Sequence, residues 1–489
     1  MSVGLFVTKP VAPAPHVDAG EPVEGSLEGE GSLKRTLTAT QLVMLGIGAV
    51  IGAGIFVLTG TAAANHAGPA IVLSFVFAGV ACAFAGLCYA EFAALLPVSG
   101  SAYSYSYATL GEVVAWFIGW NLVLEYLFAA STVAVGWSGY FNSFLATFHM
   151  ALPDSLAKAP LDVVNGALVH TGGLFNLPAV AIVAAVATIG YFGIKQSAIV
   201  NTIIVTIKVV VILMFVAFSI QYINPENWHP FIPDNVGPGK YGYDGIVRGA
   251  AVVFFAYIGF DAVSTAAGEA KNPQRDMPIG ILGSLAICTV VYIIVSAVLT
   301  GMLPYTQLGT PKPVATALEA YPALSWLKIL VELGAIAGLS SVILVMLMGQ
   351  PRIFFSMAQD GLIPKMFAKI HPKHHTPHVG TIVVGVVAAI LAGFLPISFL
   401  GDLVSMGTLL AFATVSAGVL ILRYTQPSLY RPFRVPAAIV ICPLGVVTCL
   451  YLFWQPFKEN WPVMGSWTLI GFVIYGLYGY RNSRLRKAG

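Results

Sequence analysis

Two ionisable side chains lie in the middle of long apolar runs of this sequence. Lys208 is in the run 197–222 and Glu125 is in the run 112–144. With a helical rise of about 1.5 Å per residue, Lys208 is about 16 Å and Glu125 about 18–20 Å from the start of its run. A charge at the centre of a membrane helix costs roughly 3 kcal/mol and therefore usually has a function. The midspan position of Lys208 disfavours snorkelling, whereas a structural hydrogen bond to a neighbouring helix remains an equal alternative for Glu125.

A cluster of glycines makes the first long apolar run a poor α-helix. Gly46, Gly48, Gly52 and Gly54 lie close together, and each costs up to ~1 kcal/mol relative to alanine inside a helix. Gly48 and Gly52 have the GxxxG spacing of a helix-packing face. The same glycines also suit an unwound segment whose backbone N–H groups bind an anion. The motif alone does not decide between these two interpretations.

A second glycine interrupts another apolar run at a comparable depth. Gly259 lies among the aromatic residues of 254–260 and precedes Asp261. Gly52 and Ile258 each lie about 18 Å into their runs, which is near the centre of a hydrocarbon core of ~30 Å. Backbone groups that are freed at this depth must line a cavity or meet a ligand. Glycine-interrupted spans at matching places in two halves of a chain indicate the binding site of a transporter.

The composition places these runs in a membrane. Of the 489 residues, 57% are hydrophobic and 9% are charged, against roughly 25% charged in soluble domains. Many apolar runs reach the ~20 residues that cross a bilayer. We therefore predict an all-α integral membrane protein with twelve transmembrane helices, at 40–64, 69–93, 112–144, 176–193, 197–222, 246–267, 277–301, 326–350, 379–396, 400–422, 435–454 and 463–480.

The predicted spans divide the chain into five parts. Residues 1–38 form a flexible cytoplasmic tail, 39–222 hold spans 1–5, 245–424 hold spans 6–10, 434–480 hold spans 11 and 12, and 481–489 form a cytoplasmic C-terminal tail. Lys and Arg concentrate on the side of both termini, which is the cytoplasmic side by the positive-inside rule. These residues are Lys9, Lys34, Arg35, Lys195, Lys271, Arg275, Arg352, Lys365, Lys369, Lys373, Arg423, Arg431, Arg434, Arg481, Arg484, Arg486 and Lys487. The plasma membrane is the expected location.

Other classes of function have little support in the sequence. A Walker A motif, an HExxH motif and a GxSxG motif are missing, which disfavours nucleotide hydrolysis and a membrane enzyme. A receptor would not need interrupted helices in two halves. The histidines at 371, 374, 375 and 378 suggest a metal, but no Cys or carboxylate has ligand spacing, so a basic cytoplasmic loop and no metal site is the favoured interpretation. The net charge of +3 gives no indication of a nucleic acid.

The order of these motifs resembles that of the amino acid–polyamine–organocation superfamily, and within it the bacterial relatives of cationic amino acid transporters. The resemblance covers essentially the whole chain after residue 35. The segments that carry it are Gly46–Phe56, Cys88–Phe92, Pro97–Tyr103, Glu125–Tyr126, Phe254–Asp261, Lys271–Pro278 and Gly349–Arg352. The resemblance implies a LeuT-type fold, in which spans 1–5 and 6–10 form a 5+5 inverted repeat, helices 1 and 6 are discontinuous, and two further spans are peripheral.

The resemblance also implies a substrate site at the two helix breaks. Helix N-termini favour anions and helix C-termini favour cations, so one free amino acid supplies a partner for each. The carboxylate would meet Gly52, Ala53 and Gly54. The amino group would meet the backbone carbonyls of Val50, Phe255, Ala256 and Ile258, with Phe255 also acting as a gate. The side-chain pocket would include Glu125, Tyr292 and Met346.

A lysine of span 5 takes the place of a sodium ion in the proton-coupled relatives that this chain resembles. Lys208 would bind carbonyls of span 1 and a hydroxyl of span 8, from Ser340 or Ser341. Burial disfavours the charged form of a lysine, which suits a group that gains and loses a proton. The resemblance therefore implies a proton as the coupling ion and no cofactor.

Two residues depart from the pattern of the relatives. Ala53 stands where close relatives often have Thr or Ser, and Met346 stands where eukaryotic cationic carriers have a smaller residue. Met346 should shorten the pocket, so cationic specificity does not transfer. The expected function is proton-coupled symport of L-amino acids, with ion-independent amino acid exchange as the alternative. The expected partners are an L-amino acid, protons and membrane lipids, and the sequence does not determine the oligomeric state.

Overall fold

The computed structural model describes residues 6–9, 37–96, 100–164, 167–192, 198–374 and 376–488. Most of the predicted N-terminal tail lies outside the described residues, as do residues 97–99, Lys195 and His375. The described part of the chain is mostly helical, and its strands form one short hairpin.

The helices of the N-terminal part are interrupted several times by π-helical turns. The α-helices are α1 (Ala39–Val50), α2 (Thr59–Ala62), α3 (Ile71–Leu95), α4 (Ser101–Thr109), α5 (Glu112–Val123), α6 (Ala129–Thr147), α7 (Asp154–Ala157), α8 (Leu177–Phe192) and α9 (Ala198–Ser219). The π-helical turns are Gly54–Leu58, Ala63–Ala67 and Leu124–Phe128, and the short 3-10 helices are Gly68–Ala70, Ile220–Tyr222 and Pro225–Trp228. Strands β1 (Leu161–Val164) and β2 (Ala167–His170) pair antiparallel between α7 and α8.

The C-terminal part repeats the pattern of long helices joined by short turns. Its α-helices are α10 (Gly242–Val253), α11 (Pro273–Met302), α12 (Pro313–Glu319), α13 (Ser325–Gln359), α14 (His378–Phe394), α15 (Ile397–Thr425), α16 (Ala438–Ile474), α17 (Tyr480–Asn482) and α18 (Arg484–Ala488). The 3-10 helices are Phe254–Tyr257, Asp261–Glu269, Tyr305–Gln307, Pro322–Leu324 and Lys365–Ala368, and Tyr475–Gly479 is a π-helical turn.

Eight helical stretches of the described residues are long and apolar enough to cross a membrane. They are Gly54–Leu95, Glu112–Thr147, Thr202–Tyr222, Gly242–Ala267, Pro273–Met302, Pro322–Gln359, Ile397–Thr425 and Ala438–Lys487, and α1, α8 and α14 are shorter apolar helices. Outward-facing side chains are often large and apolar, as Ile203, Ile207 and Leu213 of α9 are. Such a surface suits contact with lipid, because it offers nothing to bind water. The count of twelve spans remains a prediction, although Asn460 departs from helical geometry inside α16, between predicted spans 11 and 12.

The first helix break lies between α1 and the π-helical turn that begins at Gly54. A capping box starts α1, in which Thr38 accepts a hydrogen bond from the backbone N–H of Gln41 while the Gln41 side chain accepts one from the backbone N–H of Thr38. The helix ends at Val50, because Ile51 has an extended backbone (φ −72°, ψ 96°). The interruption therefore lies inside the glycine cluster, so these glycines do more than provide a packing face.

The second helix break follows the 3-10 turn Phe254–Tyr257. Ile258 is extended (φ −62°, ψ 132°), and Gly259 has a φ of 119°. That region of backbone space is open to glycine and strained for residues with a Cβ atom. The chain then continues as a 3-10 helix from Asp261. Gly259 therefore allows the backbone to turn at this depth.

The two breaks are in direct contact at two points. A Cβ atom on Gly259 would lie 2.8 Å from the carbonyl carbon of Ala49 in α1. A Cβ atom on Gly54 would overlap the Cα atom of Ala256. Each break thus contributes a glycine that lies against an alanine of the other break, which fixes the crossing of the two interrupted helices.

Candidate functional site

A small, partly enclosed cavity lies where the two breaks cross. Its volume is about 10 Å³ in this structure, which is roughly the room that one water molecule needs. The first break, the second break, α6 and α13 all contribute to its wall, through Ala49, Val50, Gly52, Ala53, Gly54, Ala129, Val133, Phe255, Ile258, Val342 and Met346. All of these side chains are apolar, so the polar groups that reach the cavity belong to the backbone.

Most of the residues that were predicted to bind the substrate line this cavity. Gly52, Ala53 and Gly54 form its wall at the first break, together with Val50. Phe255, Ile258 and Met346 are the predicted residues that line it from the second break and α13. Three predicted positions, namely Ala256, Tyr292 and Glu125, do not border the cavity in this structure. Their surroundings are described below.

The start of the π-helical turn at Gly54 has the donors that a carboxylate requires. No side chain caps this end of the turn. The first N–H groups of a helix lack partners within the helix and carry a partial positive charge, so they favour an anion. Gly52 and Gly54 have no side chains that would shield these N–H groups. The wall formed by 52–54 is therefore chemically suited to a carboxylate.

Tyr292 of α11 lies behind the cavity and contacts both breaks. Its hydroxyl oxygen is 2.8 Å from the carbonyl oxygen of Val50 and 2.9 Å from that of Ala256. The side chain is fully buried. The carbonyl of Ala256, which was predicted to meet the substrate amino group, is directed at Tyr292 in this structure. The prediction that Tyr292 lines the side-chain pocket is therefore not met: it binds backbone carbonyls instead.

Lys208 of α9 is fully buried and contacts the end of α1. Its Nζ atom donates to the carbonyl oxygens of Gly48 at 2.9 Å and of Ile51 at 3.2 Å. Gly48 lies in the last turn of α1 and Ile51 is the first residue of the break, and carbonyls at the end of a helix lack a helical N–H partner. Lys208 therefore supplies the missing donors, at the place that the sequence predicted.

The serines predicted to join Lys208 have other partners. Ser340 donates to the carbonyl of Ile336 at 2.8 Å and accepts from the Trp137 indole at 2.9 Å. Ser341 donates to the carbonyl of Gly338 at 2.9 Å. A serine side chain on α13 meets its own preceding turn readily, because that acceptor is always within reach. Lys208 therefore makes the expected contacts with carbonyls at the end of α1, while Ser340 and Ser341 donate to carbonyls of their own helix.

A glycine pair of α13 makes room for α9. A Cβ atom on Gly338 would lie 3.0 Å from the Cε atom of Lys208, and one on Gly334 would lie 2.9 Å from a methyl group of Val211. The spacing Gly334–Gly338 is that of GxxxG, which lets helices approach closely. The sequence analysis did not identify these glycines, although the spacing was visible. Ala129, Val133 and Val342 were also missed, since apolar residues of a buried helix carry no signal of their own.

Glu125 belongs to a separate buried carboxyl pair. It lies in the π-helical turn Leu124–Phe128, close to the carboxyl group of Asp261, and neither of its carboxyl oxygens has a hydrogen-bond partner among the described residues. Asp261 accepts hydrogen bonds from the Tyr126 hydroxyl at 3.0 Å and from the backbone N–H of Gly259 at 3.2 Å. Both carboxyl groups are about 1% exposed. Asp261 therefore supports the second break, whereas Glu125 lies beside it and does not border the cavity.

An ion-pair network ties α10 to the start of α15. The guanidinium of Arg248 binds Asp402 through two hydrogen bonds of 3.1 and 2.8 Å, and it binds Glu459 at 3.2 and 3.0 Å. Arg248 is 4% exposed. Two parallel hydrogen bonds between a guanidinium and a carboxylate fix the orientation of the two groups in addition to pairing their charges. The network fixes the half of the interrupted helix that precedes the second break.

The histidines of the predicted loop between spans 8 and 9 contact each other and the backbone. The rings of His371 and His374 lie 4.6 Å apart, and those of His371 and His378 lie 5.4 Å apart. The Nδ1 atom of His371 accepts from the backbone N–H of Lys373 at 3.1 Å. Within the described residues no group of three His, Cys, Asp or Glu side chains could hold a metal ion, and His375 lies outside them.

Comparison with known proteins gives the family of the chain. The sequence model described as "Amino acid permease" matches residues 37–479. The branched-chain amino acid permease BcaP of Bacillus subtilis (strain 168) is 48% identical, over 94% of this chain and 96% of that protein. The methylthioribose transporter of the same strain is 46% identical, over 93% of this chain and 96% of that protein. The vacuolar cationic amino acid transporter 4 of Arabidopsis thaliana is 40% identical, over 82% of this chain and 65% of that protein.

The relatives are named as permeases and transporters, which supports a transporter over the enzyme alternative. Their shared family is the one that the motifs of this sequence resemble. The matched residues include both helix breaks, Lys208 and the residues that line the cavity between the two breaks. This chain belongs to the amino acid permease family of membrane transporters.

Proposed function

We propose that this protein is a secondary transporter that carries L-amino acids with apolar side chains into the cell together with protons. The observation that carries the proposal is the cavity at the crossing of the two breaks. Its wall offers backbone groups for a carboxylate and an amino group, and only apolar side chains for the rest of the substrate. The relative named as a branched-chain amino acid permease supports the same substrate class.

Lys208 supports proton coupling. Its ammonium group binds two carbonyls of the first break, and hydrogen bonds from a charged donor are about twice as strong as neutral ones. Loss of the proton would weaken both contacts and release the end of α1. A protonated Lys208 would therefore hold α1 and α9 together, and a neutral one would allow α1 to move toward the inward-open state. The change between a protonated and a neutral Lys208 would in this way drive alternating access.

The proposed architecture is the LeuT-type arrangement in the cell membrane. Twelve spans would include two inverted repeats of five, with a discontinuous helix at the start of each. Both termini would face the cytoplasm, in agreement with the concentration of Lys and Arg on that side. The two interruptions at 51–53 and 258–260 support this arrangement, since each lies at a matching place in its half.

Met346 supports a short pocket and a neutral substrate. It lines the cavity from α13 and is 2% exposed. A long cationic side chain would need both the volume that Met346 occupies and a buried anion in contact with the cavity. Glu125 is near in sequence to the cavity residue Ala129, yet it faces Asp261. The proposal therefore favours neutral over cationic amino acids.

Transport into liposomes of purified protein tests the proposal. We expect uptake of labelled L-alanine and L-leucine to follow an imposed inside-alkaline pH gradient and to be indifferent to a sodium gradient. Uptake that requires an amino acid inside the vesicle and ignores the pH gradient would identify an exchanger instead. A second candidate substrate is methylthioribose, which the name of one relative suggests. Competition by methylthioribose, without competition by leucine, would assign that substrate class.

A further inference from the structure

An open groove lies beside the start of α11. Its volume is about 650 Å³, which is within the range of sites that bind small molecules. One wall is formed by the first three turns of α11, and the other by the loop between α15 and α16. The residues that line this groove and those that line the cavity at the helix breaks have no member in common. The groove is therefore separate from the proposed substrate site.

The wall on α11 changes from polar to apolar along its length. Asn272 and Arg275 line the groove where the helix begins, and Ile279 and Leu282 line it farther along. Arg275 and Leu282 are separated by about 10 Å of helix. The stretch Pro273–Met302 is long and apolar enough to cross a membrane, so its first turn lies near the edge of the hydrocarbon core. The groove thus has a polar end at the membrane surface and an apolar end inside the membrane.

Arg275 supplies the charge at the polar end. Its side chain is exposed, and within the described residues no ion pair or hydrogen bond engages its guanidinium group. The next residue, Asp276, is largely buried and accepts a hydrogen bond from the backbone N–H of Asn272 at 3.2 Å. A guanidinium offers several N–H donors in a plane, which match the oxygen atoms of a phosphate group. Arg275 is therefore available to an anionic ligand from outside the chain.

The opposite wall is held in place by a buried arginine. Tyr430 and Phe433 line the groove from the loop, and Arg431 lies between them in the sequence. The Arg431 guanidinium donates to three backbone carbonyls within 422–429, at 2.8, 2.9 and 2.9 Å, and lies 3.3 Å from the carboxylate of Glu91. Because these contacts fix the loop, the two aromatic rings form a preformed wall. Aromatic side chains of this kind are common where a membrane protein meets the lipid headgroups.

We propose that this groove binds an anionic phospholipid. The phosphate group binds Arg275, and one acyl chain lies along Ile279 and Leu282. Lys271 and Arg434 are exposed and flank the lining residues in the sequence, and clusters of basic residues next to a membrane helix attract anionic lipids. A zwitterionic lipid is disfavoured, because its choline group would bring another positive charge to this cluster. The inference does not depend on which substrate the protein transports.

Native mass spectrometry of the purified protein tests the site. The protein is titrated in detergent with a phosphatidylglycerol and with a phosphatidylcholine that has the same acyl chains. Arg275→Gln removes the charge of the groove, and Arg481→Gln, which changes another exposed arginine, is the matched control. Ile279→Trp fills the apolar end of the groove. Its control is Ile294→Trp on the same helix, since Ile279 is 41% exposed and Ile294 is 43% exposed.

We expect the wild-type protein and both controls to prefer phosphatidylglycerol. Arg275→Gln should weaken the binding of phosphatidylglycerol about fivefold and that of phosphatidylcholine about twofold at most, so that the preference falls. Ile279→Trp should weaken both lipids by a similar factor, because it blocks the place of the acyl chain. An unchanged preference in Arg275→Gln, or an equal fall in Arg481→Gln, overturns the inference. So does Ile279→Trp that binds both lipids as well as Ile294→Trp does.

Competition with glycerol phosphate separates a lipid from a soluble phosphate ligand. This compound carries the phosphate group without acyl chains, so we expect it to leave bound phosphatidylglycerol in place at equal concentration. Displacement by glycerol phosphate would assign the groove to a soluble phosphate compound and overturn the lipid assignment. If Arg275→Gln cannot be purified, Ile279→Trp decides, since it leaves the charge intact. Unchanged lipid binding by that variant contradicts the inference.

Discussion

Gly54 lies against Ala256 so closely that a Cβ atom at position 54 would overlap the Cα atom of Ala256. This contact joins the two interrupted helices on one side of the cavity. On the other side, Gly259 lies against the peptide of Ala49 in the same way. The glycines that interrupt the helices therefore also bring the two interruptions together. A change at either glycine should alter the binding site and not only the local backbone.

Gly54→Leu should abolish substrate binding. The new side chain would separate the two breaks and cover the N–H groups that suit a carboxylate, and overpacking of this kind also costs roughly 1–3 kcal/mol of stability. Stabilisation of the protein by L-alanine in a thermal-shift assay checks the prediction. Gly465→Leu is the control, because a Cβ atom there meets nothing within 4 Å. Normal L-alanine affinity in Gly54→Leu would contradict the proposed carboxylate site.

Met346→Ser should admit longer side chains. The substitution replaces three heavy atoms of the cavity wall with one oxygen, which enlarges the pocket and adds a polar group. Competition of labelled alanine by arginine should therefore improve about tenfold or more, which corresponds to ~1.4 kcal/mol. Met348→Ser is the control, since Met348 lies on the same helix but packs toward Gly190 of α8. An unchanged ratio of arginine to alanine affinity would show that Met346 does not limit the substrate.

Lys208→Met should uncouple transport from protons. Methionine keeps the apolar stem but cannot donate to the carbonyls of Gly48 and Ile51. Uptake driven by an inside-alkaline pH gradient should disappear, while binding or exchange of substrate survives. Liposome uptake with and without the gradient checks this, with the exposed Lys458→Met as the control. A Lys208→Met protein that still follows the pH gradient would refute the coupling role.

Gly338→Ala should weaken the proposed coupling role of Lys208 while the lysine itself stays in place. The added methyl group would lie 3.0 Å from Cε of Lys208, so the side chain or α9 has to shift. We expect proton-driven uptake to fall severalfold, with substrate affinity nearly unchanged, because Gly338 does not line the cavity. Parallel measurements of uptake rate and alanine affinity check the prediction. A variant with a normal rate would show that α9 tolerates the shift.

Arg248→Met should lower the stability of the protein more than the loss of an exposed ion pair does. The substitution leaves the largely buried carboxylate of Asp402 without its guanidinium, and breaking a buried pair costs about 3–5 kcal/mol, less where one partner is exposed, as Glu459 is. A loss of about 2–3 kcal/mol in stability is therefore expected. The exposed pair Lys158–Asp154 provides the control, and Lys158→Met should cost less than ~1 kcal/mol. Equal melting temperatures for the two variants would contradict the structural role of Arg248.

Much of the architecture could be predicted from the sequence, because apolar length and glycine position are local properties. The apolar runs predicted membrane helices, since a bilayer requires ~20 apolar residues whatever their neighbours are. The glycines at 52, 54 and 259 predicted the interruptions, since helix geometry disfavours them locally. Lys208 was predicted to be functional because a buried charge in an apolar run needs a partner.

The partners of these groups were decided by the tertiary structure. Tyr292 and Val50 are 242 residues apart, and nothing local in either segment indicates that a hydroxyl of α11 meets the end of α1. The sequence predicted that Glu125 lies within an apolar helix but not which groups surround it, because position along a helix follows from counting residues and direction follows from how each helix is rotated. Ser340 was likewise expected beside Lys208, yet it bonds to Trp137. Sequence determined which polar groups lie within apolar helices, and the crossing of the helices determined which of them meet.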